Sequence, residues 1–210
     1  LDSLCKSSRS SAVRVVAARD ITPREQPCVC HGTERDPHVW HSIKHAISMV
    51  RVIGEELAAF DPLHAEDYRQ RAGEYIGELV SLDDEIRHQV EKIPAESRQL
   101  VIAHDSLGYF ADEYGFRVIS ILDSFTSEAS GPSAMRLASV VRQVKENGVP
   151  AIFSENSFDN KLVRMVAREA GVKYVASLYT DALGPRDSPG SDYIGMMRHN
   201  AKTITESLIQ

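Results

Sequence analysis

Four short apolar runs in the second half of the chain each lead into an acid or a histidine. Val101-Ile102-Ala103 is followed by His104 and Asp105, and Val118 to Leu122 by Asp123. Ile152-Phe153-Ser154 is followed by Glu155, and Val175 to Tyr179 by Thr180 and Asp181. If the runs are parallel strands, their ends share one edge, where open α/β sheets bind ligands. Imidazoles and carboxylates gathered on that edge would hold a divalent metal ion. Each residue also has a plainer role. Asp105 and Asp123 suit helix caps or turns, and Glu155 suits a first helical turn facing the dipole. Asp181 suits a turn ahead of Gly184-Pro185, and His104 can be a hydrogen-bonded structural histidine. Only their convergence makes metal binding competitive. Another histidine, His38, lies in Asp36-Pro37-His38-Val39-Trp40, just before a helical pattern. The Asp-Pro step favours extended chain. It presents His38 at the mouth of that helix, or leaves it as a loop histidine stacked near Trp40.

The elements that must position these residues follow from a pattern that occurs three times. Glu113-Tyr114-Gly115, Glu146-Asn147-Gly148 and Glu169-Ala170-Gly171 each precede a short apolar run. Each reads as a helix ending at a left-handed glycine, then a strand. Helical spacing between the copies falls at Leu137, Val140, Val141 and Val144, and at Leu162, Val163, Val166 and Ala167. Alternating strands and helices with short connections predict a parallel sheet with right-handed crossovers. With an earlier strand at Gln99 to Ala103, residues 98–210 are expected to form an α/β lobe. It would hold a four-stranded parallel sheet flanked by helices and closed by a helix from about Tyr193 to Leu208. Upstream, apolar residues from Tyr68 to Ile93 recur at steps of three and four, which predicts one helix over 65–93. At 1.5 Å per residue it would run about 43 Å, long enough to link two lobes. Ile43, Ala46, Ile47, Val50, Ile53 and Leu57 predict a further helix ending near Phe60-Asp61-Pro62. Val13 to Ala17 looks like one buried strand, and residues 19–37, with Pro23, Pro27 and Pro37, like a loop. One strand and one loop do not make a lobe. The chain divides into an incomplete N-terminal α/β lobe (1–60), a linking helix (61–97) and a C-terminal α/β lobe (98–210).

Composition narrows the classes. The chain has 210 residues, 42% hydrophobic, with 30 acids against 24 bases and a net charge of −6. That is core enough for a globular fold, and the acidic balance argues against a nucleic-acid surface. No apolar run approaches the roughly 18 residues of a membrane span. The three cysteines, Cys5, Cys28 and Cys30, exclude a disulfide-rich scaffold. The chain begins at Leu1 with no signal-peptide pattern, which reads as a processed chain or a fragment.

Asp36-Pro37-His38-Val39-Trp40 resembles the Asp-Pro-His-x-Trp signature of the zinc- and manganese-specific (TroA-like) solute-binding proteins of ABC transporters. The resemblance continues through Ile93-Pro94-Ala95-Glu96 and Val101 to Phe110. It takes in Ile152-Phe153-Ser154-Glu155, Tyr179-Thr180-Asp181-Ala182-Leu183, and Tyr193 with Met196 to Asn200. It implies a metal held by four side chains, two from each lobe, with helix 65–93 as the rigid connection. Of these, His38 would be the second ligand, His104 the third and Asp181 the fourth. The first would be a histidine upstream of this chain, so most of the first lobe would be missing. His31 is too close to His38 to take that place. Glu155 would stand behind the ligands, orienting an imidazole by accepting its other N–H, or would cap a helix start.

Manganese-type members carry Glu where this chain has His104. Three imidazoles and one carboxylate suit zinc better than manganese, so Zn²⁺ is the expected ion and Mn²⁺ the second choice. The resemblance further implies delivery to an ABC permease by a monomer peripheral to the membrane, in the periplasm or at the cell surface, with no catalysis and no nucleic acid. Cys28-Val29-Cys30-His31 is either an ordinary loop or a soft-ligand capture site, and His41, His45, His64, His88 and His199 read as helix-surface residues. Two competitors remain: a metal-dependent hydrolase using the same cluster, which would keep an open position for water, and a metal-free adhesin or interaction module.

Overall fold

The computed structural model describes residue 7 and residues 12–28, 32–122, 132–157 and 160–209. A hairpin of β1 (Glu25–Cys28) and β2 (Gly32–Arg35) comes first, antiparallel, with Glu25 opposite Arg35. Helices α1 (Ile43–Phe60) and α2 (Ala65–Val90) then pack against each other. Next come β3 (Gln99–Ile102), α3 (Gly108–Tyr114) and β4 (Arg117–Ser120). They are followed by α4 (Ala134–Glu146), β5 (Ala151–Glu155) and α5 (Lys161–Ala170). The chain closes with β6 (Lys173–Leu178) and α6 (Tyr193–Leu208).

The repeat reading holds. Gly115, Gly148 and Gly171 have φ of 74°, 61° and 75°, the left-handed region a side chain resists. After each glycine the chain turns back into a strand. β3 pairs in parallel with β4, and β5 in parallel with β6, with Ile152 opposite Tyr174. The expected single four-stranded ladder is instead two hydrogen-bonded pairs, with β3 packed beside β5. Side chains alternate across the strands. Leu100, Ile102 and Phe153 join a core with Leu79, Leu82, Ile86, Phe110, Met197 and Ile204. Val101, Ala103 and Ile152 face the other way, onto Val140, Val144, Val163 and Val166. Both faces of β3 and β5 are therefore covered, as helix-flanked parallel strands require.

α2 has 26 residues, about 39 Å at 1.5 Å per residue. It stops at Val90, three residues short of the expectation, and Ile93 stays buried in the turn that follows. Its buried positions, Leu79, Leu82, Ile86 and Val90, all lie in the second half, where β3, α3 and α6 cover them. Glu66 and Asp67 in its first turn and Arg87 and His88 in its last oppose the helix dipole.

Two expectations for the N-terminal segment fail. Val13, Val15 and Val16 are 62%, 40% and 49% exposed and belong to no strand. The polar stretch before the signature is not all loop, because it forms the β1–β2 hairpin. Asp123, Cys30 and His31 lie outside the described residues, and with them the reading of Cys28-Val29-Cys30-His31 as a capture site.

Candidate metal centre

His104 lies two residues past the end of β3 and is 1% exposed. Glu155, the last residue of β5, is 0% exposed and lies behind it. The Glu155 carboxylate accepts the backbone N–H of Ala103 and of His104 at 3.1 and 3.2 Å. It also accepts the hydroxyls of Ser106 and Thr180, both at 2.9 Å. His104 Nδ1 lies 3.0 Å from one Glu155 oxygen. With Nδ1–H given to Glu155, the imidazole turns Nε2 outward.

His38 repeats the arrangement with different parts. Asp36, whose side chain is fully buried, accepts the backbone N–H of His38 at 2.9 Å and faces His38 Nδ1 at 2.8 Å. The Asp-Pro-His turn is thus closed by its own carboxylate, and His38 also shows Nε2 to the centre. Trp40 fixes this turn to the opposite side. Its indole N–H donates to Thr180 O at 2.9 Å, its ring packs edge-on against His38, and its carbonyl accepts the Tyr193 hydroxyl at 2.7 Å.

Asp181 comes from the loop after β6. Asn200 braces that loop through both backbone groups of Tyr179, at 2.9 and 2.7 Å. The Ser157 hydroxyl donates to Asp181 at 3.1 Å. Asp181 reaches His38 Nε2 at 3.3 Å and His104 Nε2 at 3.5 Å. One ligand atom from each of His38, His104 and Asp181 lies within 4.8 Å of the others. The three residues expected to converge do so, drawn from a turn before α1, the end of β3 and the loop after β6.

Electrostatics bind the cluster further. Burial opposes charge on His104, but hydrogen bonds to Asp181 and Glu155 outweigh it and push its pKa up to about 10. His38 is raised too, against burial, by hydrogen bonds to Asp181 and Asp36. Hydrogen bonds to His104 and His38 hold Asp181 far below the usual carboxylate range. A metal ion taken up here would replace the protons that these imidazoles carry and release them.

Other expected residues lie elsewhere. Asp105 stays outside the cluster, with Oδ1 buried and lacking a hydrogen-bond partner, and burial raises its pKa. His41 is not on a helix surface. It is 0% exposed, neither ring nitrogen has a hydrogen-bond partner among the described residues, and burial lowers its pKa to about 3. His45 and His199 are half-buried against Tyr109 and Tyr179, while His64 and His88 are exposed as expected. The supporting roles of Asp36, Ser106, Ser157 and Thr180 were not read from the sequence. Only Asp36 left a local signal, an Asx-Pro turn two residues before the histidine it holds.

The chain resembles known proteins along nearly its whole length. The family model for the periplasmic zinc-uptake complex component A, ZnuA, matches residues 1–207. The chain is 36% identical over 200 residues to the zinc-binding protein TroA of Treponema pallidum, across 92% of this chain and 64% of that protein. It is 35% identical over 175 residues to the manganese-binding lipoprotein MntA of Halalkalibacterium halodurans, across 83% of this chain and 58% of that one. It is 31% identical over 198 residues to the iron-binding protein YfeA of Yersinia pestis, across 93% and 62%. The chain therefore spans less than two thirds of the length of these relatives. Among solved structures, the periplasmic zinc binding protein TroA of Treponema pallidum superposes with a TM-score of 0.87 at 30% identity, covering 99% of this chain and 76% of that one. A Mn-bound periplasmic metal binding protein from Candidatus Liberibacter asiaticus gives 0.81 at 25% identity, covering 92% and 70%.

Proposed function

This chain belongs to the ZnuA family of periplasmic metal-uptake proteins, and from that premise we propose that it binds one divalent transition metal ion through His38, His104 and Asp181 and delivers it to an ABC-type membrane permease. The supporting observation is the converging set of donors. Two imidazoles, each with Nδ1 held by a buried carboxylate, turn Nε2 toward a shared carboxylate within 4.8 Å. Nitrogens preoriented in this way, which exchange a proton for a metal ion, suit reversible uptake of an ion, and the names of the relatives describe metal binding. Glu155 holds His104 from behind and takes no part in coordination.

Zinc is the proposed cargo. Relatives named for zinc, manganese and iron match the chain at 36%, 35% and 31% identity, so overall similarity does not rank the ions. The donor set does. Imidazole suits zinc, and oxygen-richer sites suit manganese. We place the protein outside the cytoplasm, as a monomer acting at the membrane surface; no helix among the described residues is long and apolar enough to cross a membrane. The family is one of transport binding proteins rather than enzymes, which leaves the hydrolase reading without support.

The test is metal content after purification without added metal, followed by competitive titration of Zn²⁺, Mn²⁺ and Fe²⁺. One zinc per chain and a zinc preference that narrows in His104→Glu are expected. No stoichiometric ion would end the binding reading. A zinc-to-manganese ratio unchanged by His104→Glu would mean that His104 does not coordinate.

A further inference from the structure

We infer that Arg24 is a positioning residue for the metal site: its guanidinium, seated against Gly108, holds the Asp36 carboxylate and through it the ring of His38. The inference rests on the reading of His38 as a ligand. Its own support comes from the hairpin and α3.

Asp36 Oδ1 is occupied by the two N–H groups of His38. Its other oxygen would be a buried, uncompensated charge without Arg24, whose Nη1 lies 2.9 Å away. Removing the partner of a buried ion leaves that ion to rotate, hydrate or take a proton. Each response frees the imidazole it holds. The pairing is anchored by the backbone as well. Arg24 and Asp36 form the next rung beyond Glu25 and Arg35, with the Asp36 N–H donating to Arg24 O at 2.9 Å. The Tyr109 hydroxyl closes the rung, accepting the Arg24 N–H and donating to Asp36 O, both at 2.9 Å. Arg24 Nε meets Asp112 of α3 at 2.8 Å. One side chain therefore ties the turn that carries His38 to the helix that starts four residues after His104.

Gly108 makes room for this. A Cβ there would lie 1.5 Å from Arg24 Nη1 and 2.4 Å from Cζ. The obstructed atoms are the tip of a flexible side chain, so in Gly108→Ala the guanidinium gives way and the backbone stays. Alanine is also the better helix former. The clamp can thus be opened from either side, by removing the arginine or by filling its seat while leaving every charge in the chain.

The experiment measures zinc affinity by competition with a chromophoric chelator, and the His38 imidazole by ¹H–¹⁵N NMR of the metal-free chain. Arg24→Ala and Gly108→Ala are each expected to weaken zinc binding by about 10- to 100-fold, the range for partners that orient a ligand. The double variant should fall no further than the weaker single variant. In both single variants the hydrogen-bonded Nδ1–H signal of His38 should disappear, and Arg24→Lys should restore only part of the affinity because an ammonium lacks the planar fork. If Arg24→Ala unfolds, Gly108→Ala decides alone. Zinc affinity within twofold of wild type in Gly108→Ala, losses that add as for independent sites, or a persistent Nδ1–H signal would overturn the clamp. His38→Ala separates the two readings. If it binds zinc like wild type, the site assignment fails and the clamp with it. If it loses zinc while Arg24→Ala and Gly108→Ala keep it, only the clamp fails.

Discussion

Glu155 and Asp181 are both carboxylates at or just past the ends of two paired parallel strands, and they have opposite surroundings. Glu155 is sealed in, 0% exposed, and receives N–H or O–H groups from Ala103, His104, Ser106 and Thr180. A carboxylate has about four lone-pair sites, so Glu155 is saturated and has nothing to offer a cation. The Asp181 side chain is 30% exposed and faces one hydroxyl and two imidazole Nε2 atoms. The strand-end position is common to both. Saturation and access separate the group that builds the site from the group that meets the ion.

The largest effect expected from this contrast is on stability. Glu155→Ala should destabilise the metal-free chain by about 3–5 kcal/mol, since it strands several buried donors and unpairs His104. Urea denaturation of the metal-free protein checks it, and a loss under about 1 kcal/mol would break the comparison. Asp181→Asn should act more on binding. Losing one charged ligand should weaken zinc binding by about 100-fold, given apparent structural-zinc affinities of about 10–16 kcal/mol spread over four ligands. Metal-free stability should fall by less than in Glu155→Ala, about 1–3 kcal/mol, because two buried imidazoles lose the carboxylate that holds their protons, and calorimetric titration beside the same denaturation series reads both numbers.

A third effect concerns His41, which is as deeply buried as Glu155 but has no hydrogen-bond partner for its ring among the described residues. Its folded pKa of about 3 lies below the ordinary 6.5, so the unfolded chain takes up the proton first. The cost that His41 imposes on stability is small above pH 6.5 and grows as pH drops toward 3. Between pH 6.5 and 5 the loss should be about 2 kcal/mol, and His41→Phe should flatten that part of the profile. The smallest effect is at Ser157. Ser157→Ala removes one exposed hydrogen bond to Asp181 and should weaken zinc binding by about 2- to 3-fold, the low end of what such a bond contributes. A loss as large as that of Asp181→Asn would mean that Asp181 is set by its support after all.

Local chemistry made much of this legible. Three glycines free to take positive φ ended three helices, and apolar spacing of three and four placed α1 and α2. The Asp-Pro-His turn marked His38, because its signal is carried by adjacent residues. The β1–β2 hairpin stayed hidden. Its strands are short and polar, and their pairing is stabilised by Tyr109 and Arg24, which are 85 residues apart. The same distance hid the burial of His41. A histidine one residue after Trp40 reads as surface until the loop that accepts the tryptophan N–H, 140 residues further on, closes over it.

The sequence by itself determined which residues end the strands, that those strands run parallel, and that one histidine and several acids would share one edge, while His38 was brought there by the family resemblance. Only the tertiary structure decided the division of labour among them. Whether a carboxylate holds an imidazole or waits for an ion depends on how many N–H and O–H groups the fold aims at it, and those groups come from Ser106, Thr180, Arg24 and Ser157, each on a different segment. Their directions are fixed by packing, and packing is not written in the spacing of any one segment.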